Sequence, residues 1–250
     1  MDPEALLADW REKYAEPTAG WDFSTFAGSI ETDDPPWSYD DLARSALAGA
    51  TSALDIGTGG GEVLLRLRDA LPADTLATEG WAPNLPHATE ALAPHGIHVV
   101  PYDSEHDELM PFEDGRFDVV LDRHESYVAA EVFRVLRPGG AFVTQQVDGR
   151  DFEETHALFG GTPVYSHVTL ETFRAEAETA GFVVEDGREW SGTMRFADVA
   201  TFVSYVRMVP WEVPDDFSVD RYADALLAMT EHDLVFTRRM FVLVCRRPGP

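Results

Sequence analysis

The residues best suited to bind a charged ligand lie in one short run, "ALDIGTGGGE" (53–62). An apolar segment leads into Asp55, and glycines follow at Gly57, Gly59 and Gly61. Glycine lets the backbone approach a ligand closely, and a helix that begins directly after such a turn presents free N–H groups. The pattern therefore predicts a nucleotide- or nucleoside-binding loop between a strand and a helix.

The spacing of these glycines separates two classes of ligand. Nicotinamide and flavin sites need G-x-G-x-x-G, and counting from Gly57 places Glu62 where the third glycine belongs. A carboxylate there would repel a pyrophosphate, so Glu62 disfavours both of these cofactors. The run instead has an acid followed by glycines at every second position, from Asp55 to Gly61.

That spacing is the signature of S-adenosylmethionine-dependent methyltransferases of the Rossmann-like class, which the chain resembles over about residues 50–150. "MPFEDGRFDVVLD" (110–122) and "VLRPGGAFV" (135–143) resemble further segments of this family, in the same order. "TEGWAPN", "RHESY" and "TQQV" resemble a bacterial subgroup that acts on small molecules. The resemblance implies S-adenosylmethionine as cofactor and an α/β fold with a mostly parallel seven-stranded sheet, an antiparallel last strand and helices on both faces.

The resemblance also implies which residues hold the cofactor. Glu79 would bind the ribose hydroxyls, Trp81 would stack on adenine, and Asp103 would accept from the adenine amino group beside Ser104. Asp122 would touch the cofactor through its backbone. The complete predicted cofactor set is Asp55, Gly57, Thr58, Gly59, Gly61, Glu79, Gly80, Trp81, Asp103, Ser104 and Asp122.

The methyl acceptor would meet the residues that follow the fourth predicted strand. Methyl transfer depends on alignment, and an oxygen or nitrogen acceptor can also need a general base. In "DRHES", His124 is the first candidate for base or acceptor-orienting group, and Glu125 is the second. The alternative is structural: His124 caps the next helix, and Glu125 favours its positive end. The acceptor pocket is predicted to be lined by Trp37, Tyr39 and His167, with Trp21, Phe23 and Phe26 as further aromatic candidates.

Short apolar runs alternate with helical patterns between residues 50 and 150, which predicts a parallel sheet covered on both faces. Strands are predicted at 52–57, 74–80, 98–103, 117–122, 141–147, 182–190 and 238–247. Helices are predicted at 3–15, 39–48, 61–71, 84–93, 127–136, 169–180, 196–209 and 218–232, with a turn at 137–140. Residues 1–49 are interpreted as a helical cap and 50–250 as the cofactor-binding domain, with 191–235 as an insertion or lid over the acceptor site.

Composition limits the partners and the compartment. A net charge of -26 over 250 residues disfavours nucleic acid and favours a small-molecule acceptor. The charged, helix-like start predicts no signal peptide, and no apolar run approaches the roughly 20 residues of a membrane span. The single cysteine, Cys245, fits a reducing cytoplasm, and the scattered histidines predict no metal site. The oligomeric state stays open.

Three other functions stay open at this point. One is a protein that binds S-adenosylmethionine but catalyses non-methyl chemistry, such as a cyclisation or a decarboxylation. A second is a nicotinamide oxidoreductase, which Glu62 disfavours because it replaces the third glycine. The third is a non-catalytic protein that binds the cofactor as a sensor.

Overall fold

A computed structural model describes residues 2–17 and 23–249 of the chain. Trp21, one of the aromatic residues predicted for the acceptor pocket, lies outside the described residues. The described residues form two compact units. We call residues 36–147, 168–189 and 241–249 the glycine-loop unit, and residues 2–17, 23–35, 148–167 and 190–240 the aromatic unit.

Helices and strands follow one another along the chain close to the predicted order. The helices are α1 (Pro3–Ala15), α2 (Tyr39–Leu47), α3 (Glu62–Leu67), α4 (Leu85–Leu92), α5 (Ala129–Val135), α6 (Glu153–Phe159), α7 (Leu170–Ala180), α8 (Val199–Met208) and α9 (Ala223–Met229). The strands are β1 (Ile30–Thr32), β2 (Ser52–Ile56), β3 (Asp74–Glu79), β4 (His98–Pro101), β5 (Phe117–Arg123), β6 (Leu136–Val147), β7 (Val183–Phe196) and β8 (Leu234–Arg246).

The glycine-loop unit is built on strands in the order β7-β8-β6-β5-β2-β3-β4. Strand β2 pairs in parallel with both β3 and β5, which continue in parallel to β4 and β6. The last strand, β8, runs antiparallel to β6, since the backbone N–H of Gly139 donates to Arg247 whereas that of Asp148, further along the chain, donates to Arg239. The predicted α/β class, with a mostly parallel sheet and an antiparallel last strand, is confirmed. The predicted count of seven strands is wrong by one, because the short strand β1 pairs with β7 as an eighth strand.

Every residue of β2 is buried, as expected for a central parallel strand covered on both faces. One face carries Leu54 and packs into a core with Phe117, Phe142 and Phe241. The other face carries Ala53 and packs with the residues of α2, including Leu47. The apolar packing on both faces therefore continues to the point where β2 ends and the glycines begin.

Four details of the sequence prediction are wrong. Residues 137–140 are not a turn before a strand but lie inside β6, where the pairing with β5 shifts register between Phe117 and Val119. The Pro-Gly-Gly segment thus forms an irregularity within the strand, and Gly139 takes a φ of 83° there. Strand β1 and helix α6 have no counterpart in the prediction, and α3 ends at Leu67, four residues earlier than expected.

The aromatic unit has its own core and its own strand pairing. Ile30 of β1 pairs antiparallel with Phe196 of β7, and α1 packs on α8. Phe152 stacks on Phe236, with their ring centroids 5.2 Å apart. Residues 36–49 of the predicted cap group with the glycine-loop unit, and residues 191–235 of the predicted lid belong to the aromatic unit. None of the helices described in residues 2–17 and 23–249 is long and apolar enough to cross a membrane.

Candidate cofactor and active site

The glycine loop, residues 57–61, follows β2 without a break and ends as the N-cap of α3. Gly57, Gly59 and Gly61 all have positive φ, at 60°, 62° and 87°, so the predicted alternate glycines coincide with left-handed backbone. A Cβ on Gly61 would lie 2.8 Å from Cγ of Leu92. A Cβ on Gly59 would meet only Oε2 of Glu62, at 3.8 Å, so this part of the loop faces open space.

Glu79, at the end of β3, holds the glycine loop in place. Its carboxylate accepts the N–H of Gly59 at 2.8 Å and the N–H of Trp81 at 2.8 Å. Thr58 completes the connection, because its N–H donates to the carbonyl of Thr78 at 2.8 Å. The predicted ribose-binding carboxylate therefore lies directly against the predicted cofactor loop.

Four acidic side chains at the ends of β2, β3 and β5 form what we call the carboxylate cluster: Asp55, Glu79, Asp122 and Glu125. Asp55, Glu79 and Asp122 are buried and Glu125 is half-buried. The Asp122 carboxylate accepts from Oγ1 of Thr144 at 2.8 Å and from the N–H of Glu125 at 3.2 Å. Parallel strands deliver these residues to one edge of the sheet, where their charges act on one another.

The pKa values of all four carboxyls in the carboxylate cluster are raised. Burial raises the pKa of Asp55 to about 7, and the charge of Glu79 adds to this effect. Burial likewise raises the pKa of Glu125 to about 7, with further contributions from Glu79 and Asp103. Burial also raises the pKa of Glu79 and brings the pKa of Asp122 well above its ordinary value. A positively charged ligand beside these groups would favour their ionised forms.

Glu125 and His124 lie where β5 ends, and neither behaves as a helix cap. Helix α5 begins only at Ala129, and its N-cap is Val128, so the structural alternative for His124 is wrong. Glu125 packs on the glycine loop so closely that a Cβ on Gly57 would lie 2.2 Å from its Cγ. His124 has a φ of 67°, an uncommon conformation for a residue with a side chain.

The predicted adenine-binding residues lie in two adjacent loops of the same unit. A Cβ on Gly80 would lie 2.9 Å from the carbonyl oxygen of Tyr102, so only glycine allows the loops after β3 and β4 to meet this closely. Asp103 accepts from the N–H of Glu105 at 2.9 Å, and its pKa is lowered chiefly by this bond. Trp81 is 45% exposed, and Ser104 donates to the carbonyl of Ser126 at 2.9 Å.

The three residues predicted for the acceptor pocket have different surroundings. Tyr39 is buried, and its pKa is raised well above the ordinary value, first by burial and then by the charges of Asp55 and Asp122. Trp37 is buried beneath the guanidinium of Arg188, 5.5 Å from the ring centroid. His167 is exposed in the aromatic unit.

Other predicted pocket residues also belong to the aromatic unit. The rings of Phe23 and Phe26 pack on Tyr205, at 5.8 and 5.9 Å. The His167 ring lies 6.4 Å from that of Tyr165. The role of His167 in the acceptor pocket stays a prediction.

Sequence reasoning missed three residues that support the site from β5 and β6. Gln146 donates to Asp122 at 2.8 Å and to the carbonyl of Glu125 at 2.9 Å. Gln145 contacts His124, and Arg123 carries a guanidinium whose pKa is lowered by burial. The signal was present, because two consecutive amides in "TQQV" are unusual in a strand that is otherwise apolar and buried.

Comparisons with known proteins agree with this geometry. A family model described as a methyltransferase domain matches residues 54–144. The ubiquinone/menaquinone biosynthesis C-methyltransferase UbiE of Desulfotalea psychrophila is 30% identical over 118 residues, which are 44% of this chain and 47% of that protein. The chain thus spans about half the length of this relative.

Solved structures establish the fold. A Bacillus halodurans protein provisionally described as a methyltransferase superposes with a TM-score of 0.61 at 18% identity, covering 85% of this chain and 99% of its own. The [4+2]-cyclase SpnF superposes with a TM-score of 0.52 at 15% identity, covering 98% of this chain and 94% of its own.

The protein has the Rossmann-like methyltransferase fold. More particularly, the match to the methyltransferase-domain model spans residues 54–144, the segment that holds the glycine loop and the carboxylate cluster, in agreement with the resemblance found in the sequence.

Proposed function

We propose that the protein transfers a methyl group from S-adenosylmethionine to a small-molecule acceptor. The observation that carries this proposal is the pairing of an open, left-handed glycine loop with the carboxylate cluster. The glycines allow a nucleoside to lie against the backbone, and the acids complement the ammonium and sulfonium charges of the cofactor. A pyrophosphate-bearing cofactor would be repelled by the same acids.

The residues that would hold the cofactor follow from their positions. Glu79 would accept the ribose hydroxyls, Asp103 would accept the adenine amino group, and Trp81 would cover the adenine. Asp55 would face the positively charged end. The cofactor, when bound, supplies an electrophilic methyl group on sulfur. The remaining work of the protein is to align an acceptor and to remove its proton where the acceptor is an alcohol or an amine.

Glu125 is the best placed general base. Its carboxylate lies on Gly57 at the cofactor loop, and a pKa of about 7 lets it take a proton at neutral pH and release it again. Ionised Glu125 would accept the proton that an oxygen or nitrogen acceptor releases. His124, on the preceding residue, would orient the acceptor.

A small-molecule acceptor is supported by two observations. The net charge of -26 opposes a polyanionic substrate. The relative UbiE is named for a C-methyltransferase of quinone biosynthesis, which is a small-molecule reaction. We propose a cytoplasmic location, which is favoured by a sequence that has a single cysteine and so forms no disulfide within the chain.

The cofactor assignment is tested by isothermal titration with S-adenosylmethionine on a matched pair of glycine variants. Gly59 and Gly49 have similar positive φ, at 62° and 80°. A Cβ added at Gly59 would have its nearest neighbour at 3.8 Å, and one added at Gly49 would have none within 4 Å. Gly59→Ala and Gly49→Ala therefore carry the same backbone strain of about 1–2 kcal/mol. We expect the Gly59 variant to lose at least tenfold in affinity while the Gly49 variant binds as the parent does. Equal binding by both variants would disprove the site.

Release of S-adenosylhomocysteine distinguishes methyl transfer from the non-methyl chemistry left open by the sequence. We expect this product, and a mass gain of one methyl group in the acceptor, when the protein and cofactor are incubated with a fractionated bacterial metabolite extract. Conversion of an acceptor without this product would refute methyl transfer while leaving the cofactor site intact.

A further inference from the structure

Three side chains of the glycine-loop unit form a hydrogen-bonded chain that ends at His124. Nε1 of Trp37 lies 2.9 Å from Oε1 of Gln145, and Nε2 of Gln145 lies 3.1 Å from Nε2 of His124. Trp37 and Gln145 are 9% and 4% exposed, so water competes little for the bond between them, whereas the His124 ring is exposed. The buried bond to Trp37 therefore fixes the orientation of the Gln145 amide, which in turn contacts the His124 ring.

The direction of each bond follows from the indole. A tryptophan N–H only donates, so the amide oxygen of Gln145 must face Trp37 and the amide nitrogen must face His124. An amide nitrogen only donates, so Nε2 of His124 must accept. A neutral imidazole has one acceptor nitrogen and one donor nitrogen, and the ring proton of His124 therefore lies on Nδ1. Free histidine favours the opposite tautomer.

The backbone holds His124 at this point. Its N–H donates to the carbonyl of Gln145 at 2.8 Å, which extends the pairing of Arg123 with Gln145 between β5 and β6. The left-handed φ of 67° at His124 is a strained conformation that the surrounding pairing maintains, as is common at functional sites. Backbone and side chain of Gln145 thus both act on His124.

We propose that Gln145, locked by Trp37, is a positioning residue that keeps His124 in its Nδ1–H tautomer. In this state the lone pair on Nε2 of His124 is engaged by the Gln145 amide, so this nitrogen does not take up a proton. Proton removal from the acceptor then falls to Glu125, which lies against Gly57. This assignment of roles rests on the proposed methyl transfer, whereas the tautomer itself does not.

The tautomer is measured directly by long-range 1H–15N NMR correlation on the cofactor-free protein, labelled with 15N at histidine. The His124 signals are assigned from their absence in His124→Asn. In the parent protein we expect Nδ1 to carry the proton and Nε2 to show the shift of an acceptor nitrogen. A parent ring with its proton on Nε2 would overturn the proposal.

Two substitutions of Gln145 test its role. Gln145→Met keeps the length of the side chain but removes the donor, so His124 should return to the Nε2–H form of free histidine. Gln145→Glu should give the same form, because a carboxylate accepts from both Trp37 and the His124 ring. Unchanged signals from the other seven histidines show that each variant is folded. An Nδ1–H ring in a folded Gln145→Met protein would contradict the proposal.

Trp37→Phe tests the lock itself. Without the indole donor, the Gln145 amide can rotate, and we expect His124 to exchange between both tautomers. A single Nδ1–H form in this variant would remove Trp37 from the proposal. Titration of S-adenosylmethionine into the same samples separates the two hypotheses, since absent binding would refute the cofactor and leave the tautomer result standing.

Discussion

The affinity for S-adenosylmethionine should fall steeply as the pH is lowered from 8 to 6. Burial raises the pKa of both Asp55 and Glu125 to about 7, so both carboxyls are mostly ionised at pH 8 and mostly protonated at pH 6. A cationic ligand binds the ionised forms, and binding therefore competes with protons. Each carboxyl that must ionise costs about tenfold in affinity over this range, or about 1.4 kcal/mol.

The structure thus predicts a Kd that rises up to about a hundredfold from pH 8 to pH 6 when both carboxyls contribute. Glu125→Gln removes one titrating group, so its Kd should rise only about tenfold over the same range. Isothermal titration at several pH values gives both slopes. S-adenosylhomocysteine is the matched ligand control, because it lacks the sulfonium charge and should show a shallower dependence.

Two results would refute this reasoning. One is a Kd for S-adenosylmethionine that changes less than twofold between pH 6 and 8. The other is a Glu125→Gln protein with the same slope as its parent, which would show that Glu125 does not sense the cofactor charge.

Two further predictions concern stability. Because the pKa of Asp55 is raised to about 7 in the folded protein, the parent loses stability as the pH rises from about 4 through 7. Asp55→Asn should therefore be more stable than the parent at pH 8 by on the order of a few kcal/mol. This difference should disappear near pH 4. Urea unfolding of the cofactor-free proteins checks this, and an equal difference at both pH values would contradict it. Gly61→Ala should lose about 2–5 kcal/mol, because it adds crowding of Leu92 to the strain of a φ of 87°. Gly96→Ala, with a φ of 75° and open space around its Cβ, should lose only the strain of about 1–2 kcal/mol, and equal losses would show that Leu92 is not crowded.

Much of this site could be predicted because it rests on local sequence. A buried strand must end where Gly57 allows a left-handed turn, and parallel strands must bring Asp55, Glu79 and Asp122 to one edge of the sheet. Those constraints act over a few residues at a time, and they appear in the sequence as alternating apolar runs, glycines and acids.

The rest depends on contacts between residues that are far apart in the chain. The bond from Trp37 to Gln145 spans 108 residues, and no periodicity in either segment indicates it. The pKa of Glu125 depends on its burial against Gly57, which the residue types alone do not reveal. The Pro-Gly-Gly segment also shows how a typical turn sequence can become an irregularity inside a strand when two neighbouring strands pair with it.

The central claim is most directly tested by a crystal structure of the protein soaked or grown with saturating S-adenosylhomocysteine. We predict density for the nucleoside along the glycine loop, with both ribose hydroxyls on the carboxylate of Glu79 and the adenine beside Trp81. Density for the ligand elsewhere, or an empty glycine loop at a concentration that saturates a methyltransferase, would contradict the account.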